Sequence, residues 1–149
     1  MSAKASQLYR QIVEKARDAI IYADREGLIE LWHLGAEAIF GYSAREAIGR
    51  SLDLIIPESL RQRHWEGYRQ VMATGKSRYQ SALLAVPALR KDGARISVEF
   101  TLVPIRDEAG QLAGIAAVIR DVTERWDRDK ATRRRLAELE EQCLTSVKE

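Results

Sequence analysis

The side chains of this chain best suited to chemistry near neutral pH are two histidines, His33 and His64, and one cysteine, Cys143. His64 lies in a stretch where Leu60, His64, Tyr68, Val71 and Met72 recur at helical spacing, so its imidazole shares a face with apolar neighbours. His33 follows Trp32, and a lone histidine without a partner is seldom a ligand. No Ser-His-Asp arrangement, phosphate-cradling glycine loop or cluster of metal ligands is readable, so the chain is expected not to be an enzyme. A single cysteine excludes an internal disulfide framework and a Cys-based zinc site.

The elements that position these residues follow from pattern and punctuation. Leu8, Ile12 and Ala16, with Val13 and Ile20 beside them, predict an N-terminal amphipathic helix. Ala19 to Ala23, a turn at Asp24-Arg25-Glu26-Gly27, and Leu28 to Trp32 predict a β-hairpin. Short helices follow: Gly35 to Phe40, stopped by Gly41, and one opened by Ser43-Ala44-Arg45-Glu46, whose spacing is that of a capping box. Pro57 opens a longer helix, Glu58 to Thr74, closed by Gly75. Gly67 inside it predicts a close approach by something bulky. Three strands end the domain: Gln80 to Leu89, Arg95 to Pro104 after the Asp92-Gly93 turn signal, and Leu112 to Arg120. Ile96, Val98, Phe100 and Leu102 alternate with Ser97, Glu99 and Thr101, the pattern of a sheet with one buried face.

The tail from Glu124 to Glu149 has no Gly or Pro, and its seven acids balance its seven bases. Leu136, Leu139 and Cys143 form a short heptad-like stripe, flanked by Arg133-Arg134-Arg135 and by Glu138, Glu140 and Glu141. This predicts a helix that leaves the domain and pairs with its copy, the arginines forming a solvated face. The chain divides into residues 1–18, a domain at 19–123, and the tail at 124–149.

Composition narrows the function classes. The 149 residues suit one domain with a short appendage. A net charge of +2, from 24 basic and 22 acidic side chains, is too balanced for a dedicated nucleic-acid binder. The charged start, MSAKASQLYRQIVEKARDAI, lacks an apolar secretory core, and the apolar runs are too short to span a membrane. The expected address is the cytoplasm.

Three stretches together resemble the PAS family. They are Ala36-Glu37-Ala38-Ile39-Phe40-Gly41-Tyr42-Ser43 with Glu46, Ile48 and Gly49; the Arg90-Lys91-Asp92-Gly93 turn; and Arg120-Asp121-Val122-Thr123-Glu124-Arg125, which is similar to the family's closing signature. The resemblance covers about Ala19 to Thr123. It implies an α+β fold: a five-stranded antiparallel sheet with short helices over one face, helical extensions at both ends, and a cavity that holds a cofactor or is filled by side chains. Trp32-His33 stands where the family usually has a Trp-Asn pair, so His33 either ties the helical segment together or is exposed.

The resemblance also sorts cofactors. Flavin photosensors of this superfamily need a cysteine in the helical segment; Cys143 lies in the tail, so no flavin is expected. Haem is the cofactor the resemblance favours. His64 falls on the position where haem-binding members, such as the rhizobial oxygen-sensor kinases, carry their axial histidine. The family's oxygen-steadying arginine falls at Leu84, and the iron-capping methionine of a related sensor at Ala82. Leu84, Phe100 and Leu102 would then form an apolar distal wall, with Arg78 reaching a propionate. Such a wall leans toward CO or NO over O₂. The opposing reading makes His64 a helix-surface residue or one bonded to a neighbouring carbonyl.

Three functions are therefore expected of the same fold. The first is a haem-based gas sensor with His64 on iron. The second is a cofactor-free interaction and dimerisation module, and the third binds a small apolar ligand or fatty acid. In each, repacking at Phe100, Leu102 and Ile115 would pass through Asp121-Val122-Thr123 to the tail helix. Output would reach a partner signalling protein, and the chain would be a homodimer through its terminal helices.

Overall fold

The computed structural model describes residues 1–76 and 83–147. It opens with helix α1, Ala3–Lys15, whose N-terminus is capped by the Ser2 hydroxyl accepting from the Ala5 N–H. β1 (Ala19–Asp24) turns through Gly27 into β2 (Ile29–Trp32). Leu28 stands outside the strand and bridges Ser51.

The helical segment comprises α2 (Leu34–Phe40), α3 (Ala44–Ala47), a 3₁₀ turn (Leu52–Ile55) and α4 (Glu58–Thr74). The capping box at α3 is present in both directions, Ser43 Oγ accepting from Glu46 N–H and Glu46 from Ser43 N–H. α4 ends at Gly75, whose φ of 70° places it in the left-handed region where glycine terminates helices without strain.

β3 (Leu84–Leu89), β4 (Arg95–Arg106) and β5 (Leu112–Asp121) complete an antiparallel sheet of order β2-β1-β5-β4-β3. Of the expected strand Gln80 to Leu89, residues Gln80 to Ala82 lie outside the described residues. β4 runs two residues beyond Pro104, because β5 pairs with it as far as Arg106 opposite Leu112. α5 (Thr123–Ser146) leaves the sheet, spans about 36 Å and buries no residue.

One face of the sheet carries the core. Ala19, Ile21, Ile119, Ile96 and Val98 pack with Ile29, Trp32, Ala36, Phe40, Ala47 and Ile55 from the hairpin and short helices. Trp32 lies 5.5 Å from Phe40 and 6.5 Å from Tyr42, centroid to centroid, so these aromatics are packing residues. A second cluster, Ala23, Tyr68, Val71 and Ile115, joins α4 to the other end of the same face.

Candidate functional site around His64

α4 is fastened to the hairpin end by its own polar tips. Arg61 donates from Nε to the Ile56 carbonyl at 3.1 Å and from Nη2 to the Asp53 carbonyl at 3.3 Å. Trp65 donates from Nε1 to the Asp53 carboxylate at 2.7 Å. The Tyr68 hydroxyl lies 2.5 Å from the Asp24 carbonyl oxygen and 3.2 Å from that of Ala23. Burial pushes this phenol well above its usual pKa, with Asp24 adding to the shift, so it stays a donor.

His64 sits between these two anchors. Its ring stands edge-on to Trp65, 4.7 Å between centroids, and 5.8 Å from Tyr68. Nδ1 is buried and has no hydrogen-bond partner among the described residues. Burial lowers the imidazole pKa and outweighs the opposing field of Asp53, so His64 is neutral at pH 7. A buried polar atom without a partner costs about 1–3 kcal/mol, and folds rarely keep one without a use. His64 is half-buried, and no carbonyl among the described residues bonds its Nδ1.

The sheet supplies the facing wall. Leu102 and Ile115 pack beside Tyr68 and Val71, with Leu52, Trp65 and Met72 around them. Phe100 packs against the other cluster, so the structure divides the expected wall in two. Leu84 pairs directly with Phe100 in the β3–β4 register, and so lies on the same inner face. Arg78 and Ala82 fall outside the described residues.

The expected close approach at Gly67 is not observed: no described atom lies within 4 Å of where its Cβ would stand. The bulky neighbour is at Gly27, where an added Cβ would come within 2.1 Å of the Trp65 ring. Sequence reading missed this because the two residues are far apart in the chain and neither belongs to a recognisable motif.

His33 differs from both sequence expectations about it. It is buried, and its ring ties backbone rather than the helical segment. Nε2 lies 3.1 Å from the Ala16 carbonyl oxygen and Nδ1 lies 3.3 Å from the Ile20 N–H. With the proton on Nε2, His33 donates to Ala16 and accepts from Ile20, so both ring nitrogens are used.

The exit from the domain is a polar junction. Val122 is buried and donates from its N–H to the Ser97 carbonyl at 2.9 Å. Thr123 Oγ1 accepts from Ser97 N–H at 3.0 Å and donates to Asp121 Oδ1 at 2.6 Å. Asp121 also accepts from the Thr123 N–H, and Arg125 forms an ion pair with Glu99 of β4. The first turn of α5 is thereby bound to β4 as well as continuous with β5.

Residues 13–127 match the family described as the PAS fold. The chain belongs to the PAS family. It is a PAS sensory and signalling module, consistent with its sheet and helical cover. An uncharacterized protein of Azorhizobium caulinodans is 35% identical over 126 residues, 84% of this chain and 17% of that protein. The sensor protein FixL of Bradyrhizobium diazoefficiens is 29% identical over 135 residues, 91% of this chain and 26% of FixL. The oxygen sensor protein DosP of Escherichia coli is 32% identical over 98 residues, 66% of this chain and 12% of DosP. This chain thus spans between about an eighth and a quarter of the curated relatives it matches. Among solved structures, the PAS domain of a Colwellia psychrerythraea protein superimposes with a TM-score of 0.71 at 24% identity, covering 80% of this chain and 98% of that one, a likeness of fold. No described helix is long and apolar enough to cross a membrane.

Proposed function

We propose that this PAS domain senses a diatomic gas through haem b held by His64. The observation that carries the reading is the buried, unpartnered Nδ1 of a neutral imidazole set among aromatic and aliphatic side chains. Iron takes neutral imidazole, and an apolar surround suits a porphyrin. Leu102, Ile115, Phe100 and Leu84 supply apolar surface on the same sheet face, and Arg78 is the candidate for a propionate. A haem would supply an iron centre able to bind CO, NO or O₂, and the apolar sheet wall favours CO or NO. The relatives' printed roles, a sensor protein and an oxygen sensor protein, support the gas-sensing class. Flavin adduct chemistry has little support, since Cys143 is exposed on α5, away from the helical segment.

The chain's own residues carry the signal. Leu102 and Ile115 touch the α4 cluster, and their strands end at the Ser97–Thr123–Asp121 junction. A shift of β4 against β5 therefore changes the footing of α5. The reading assigns the domain no catalytic step and no nucleic-acid contact. It acts in the cytoplasm as a homodimer, pairing through the exposed Leu136, Leu139 and Cys143 stripe of α5 and reporting to a partner protein.

A second reading rests on a different observation. Tyr68, Val71, Leu102 and Ile115 already pack together beneath α4, as a cofactor-free interaction module requires. Titration of the purified protein with hemin separates the two. The haem reading expects a Soret band distinct from free hemin in the wild type and its loss in His64→Ala. A free-hemin spectrum in the wild type, or an unchanged bound spectrum in His64→Ala, overturns it. The cofactor-free module then stands.

A further inference from the structure

α4 carries a glycine that neither its backbone nor its neighbours account for. Gly67 lies inside the 17-residue helix, is exposed and has no positive φ. The space where its Cβ would stand is open to 4 Å among the described residues, so alanine would fit there without strain. At an exposed helix position glycine favours the open backbone over alanine by roughly fivefold, since it loses more freedom on ordering and shields its peptide groups less. α4 therefore has a built-in weak point.

The fastenings of α4 fall into two sets with Gly67 between them. Before it, Arg61 donates to the Ile56 and Asp53 carbonyls and Trp65 to the Asp53 carboxylate, so this half is tied by polar groups to the 3₁₀ turn. After it come Tyr68 and Val71, the two residues that α4 buries, packed with Ala23 and Ile115 of the sheet. The Tyr68 hydroxyl, on the Asp24 and Ala23 carbonyls, is the polar tie of this half. Four backbone bonds bridge the halves, donated by the amides of Tyr68, Arg69, Gln70 and Val71 to residues one turn back. A segment held by so few buried side chains belongs to the readily opened part of a fold.

Opening of that half is what entry beside His64 requires. Leu102 and Ile115 pack with Tyr68 and Val71, and a close-packed interior admits no flat ring between side chains already in contact. Reaching that wall means lifting the half of α4 that covers it. His64 lies on the tied half, 4.7 Å from the Trp65 ring, and Tyr68 lies 5.8 Å away on the other side of Gly67. Movement at Gly67 thus uncovers the flank of the imidazole while Trp65 holds its backbone in place.

We propose that α4 is hinged at Gly67 and that its C-terminal half, Tyr68 to Thr74, swings off the sheet to admit a flat, largely apolar ring beside His64. This deepens the haem reading, on which the identity of the ring rests, by giving it a way in. The hinge itself is a property of the ligand-free chain and is measured without haem.

Amide hydrogen exchange of the full ligand-free chain, wild type against Gly67→Ala, tests it. In the wild type the bridging amides of Tyr68 to Val71 are expected to exchange faster than those of Gln62 to Trp65, because opening at Gly67 breaks the first set and spares the second. Gly67→Ala is expected to slow the first set by roughly fivefold and the second by a clearly smaller factor. Equal exchange of the two sets in the wild type, or equal slowing of both in the variant, overturns the hinge. Stopped-flow mixing with hemin reads the consequence: Gly67→Ala should take up hemin roughly fivefold more slowly and reach the same bound Soret band. An unchanged uptake rate overturns the entry route. A wild type that shows only the free-hemin spectrum removes the haem reading and with it the ring, and the hinge is then decided by the exchange rates alone.

Discussion

The two histidines of this domain sit in opposite circumstances. His33 lies at the seam between α1, β1 and α2, with both ring nitrogens facing backbone groups. His64 lies on α4 beside Trp65 and Tyr68, its Nδ1 buried and without a partner among the described residues. Sequence alone ranks them by neighbours and spacing, whereas hydrogen-bond accounting ranks them by what they still need. A satisfied histidine is structural, whereas an unsatisfied one leaves a buried polar atom that lowers stability.

The largest loss is expected at Gly35, which sits against the His33 seam. Gly35→Ala places a methyl 2.4 Å from the Asp18 carbonyl oxygen and 2.8 Å from His33 Nε2. Backbone cannot give way there, so thermal unfolding should show a loss of about 3–4 kcal/mol. His33→Ala should follow, with a loss of about 2–3 kcal/mol, since it leaves the Ala16 carbonyl and Ile20 N–H without their ring partners. A stability close to wild type in His33→Ala would erase the distinction between the two sites.

His64 should behave in the reverse sense. His64→Phe keeps the ring against Trp65 and Tyr68 and removes the unmatched nitrogen, so it should be neutral or stabilising by up to about 1 kcal/mol while abolishing haem uptake. A clear destabilisation would mean that the imidazole has a structural partner. The smallest effect is on pH dependence. His64 is held neutral in the fold, whereas an unfolded imidazole titrates near 6.5. The unfolded state therefore binds more protons as pH falls through that value, and His64 lowers stability progressively below it. Melting curves between about pH 7 and 5 should be flatter in His64→Phe than in the wild type.

Local chemistry made much of the architecture legible. The helix Glu58–Thr74 with its glycine stop, the Ser43–Glu46 capping box and the alternation of β4 are set by residues within a few positions of one another. The family resemblance made His64 a candidate through its ungapped spacing from the Asp92-Gly93 turn.

What the chain determined by itself, then, is the order and type of its elements, the family, and the histidine that could bind. Tertiary structure alone decided that Trp65 packs on Gly27 and bonds Asp53, that His33 closes the seam behind α1, and that Phe100 and Leu102 belong to different packing clusters. It also decided that the His64 Nδ1 has no partner among the described residues. Hydrogen-bond satisfaction and close approach depend on groups brought together from distant parts of the chain, and no spacing rule encodes which of them meet.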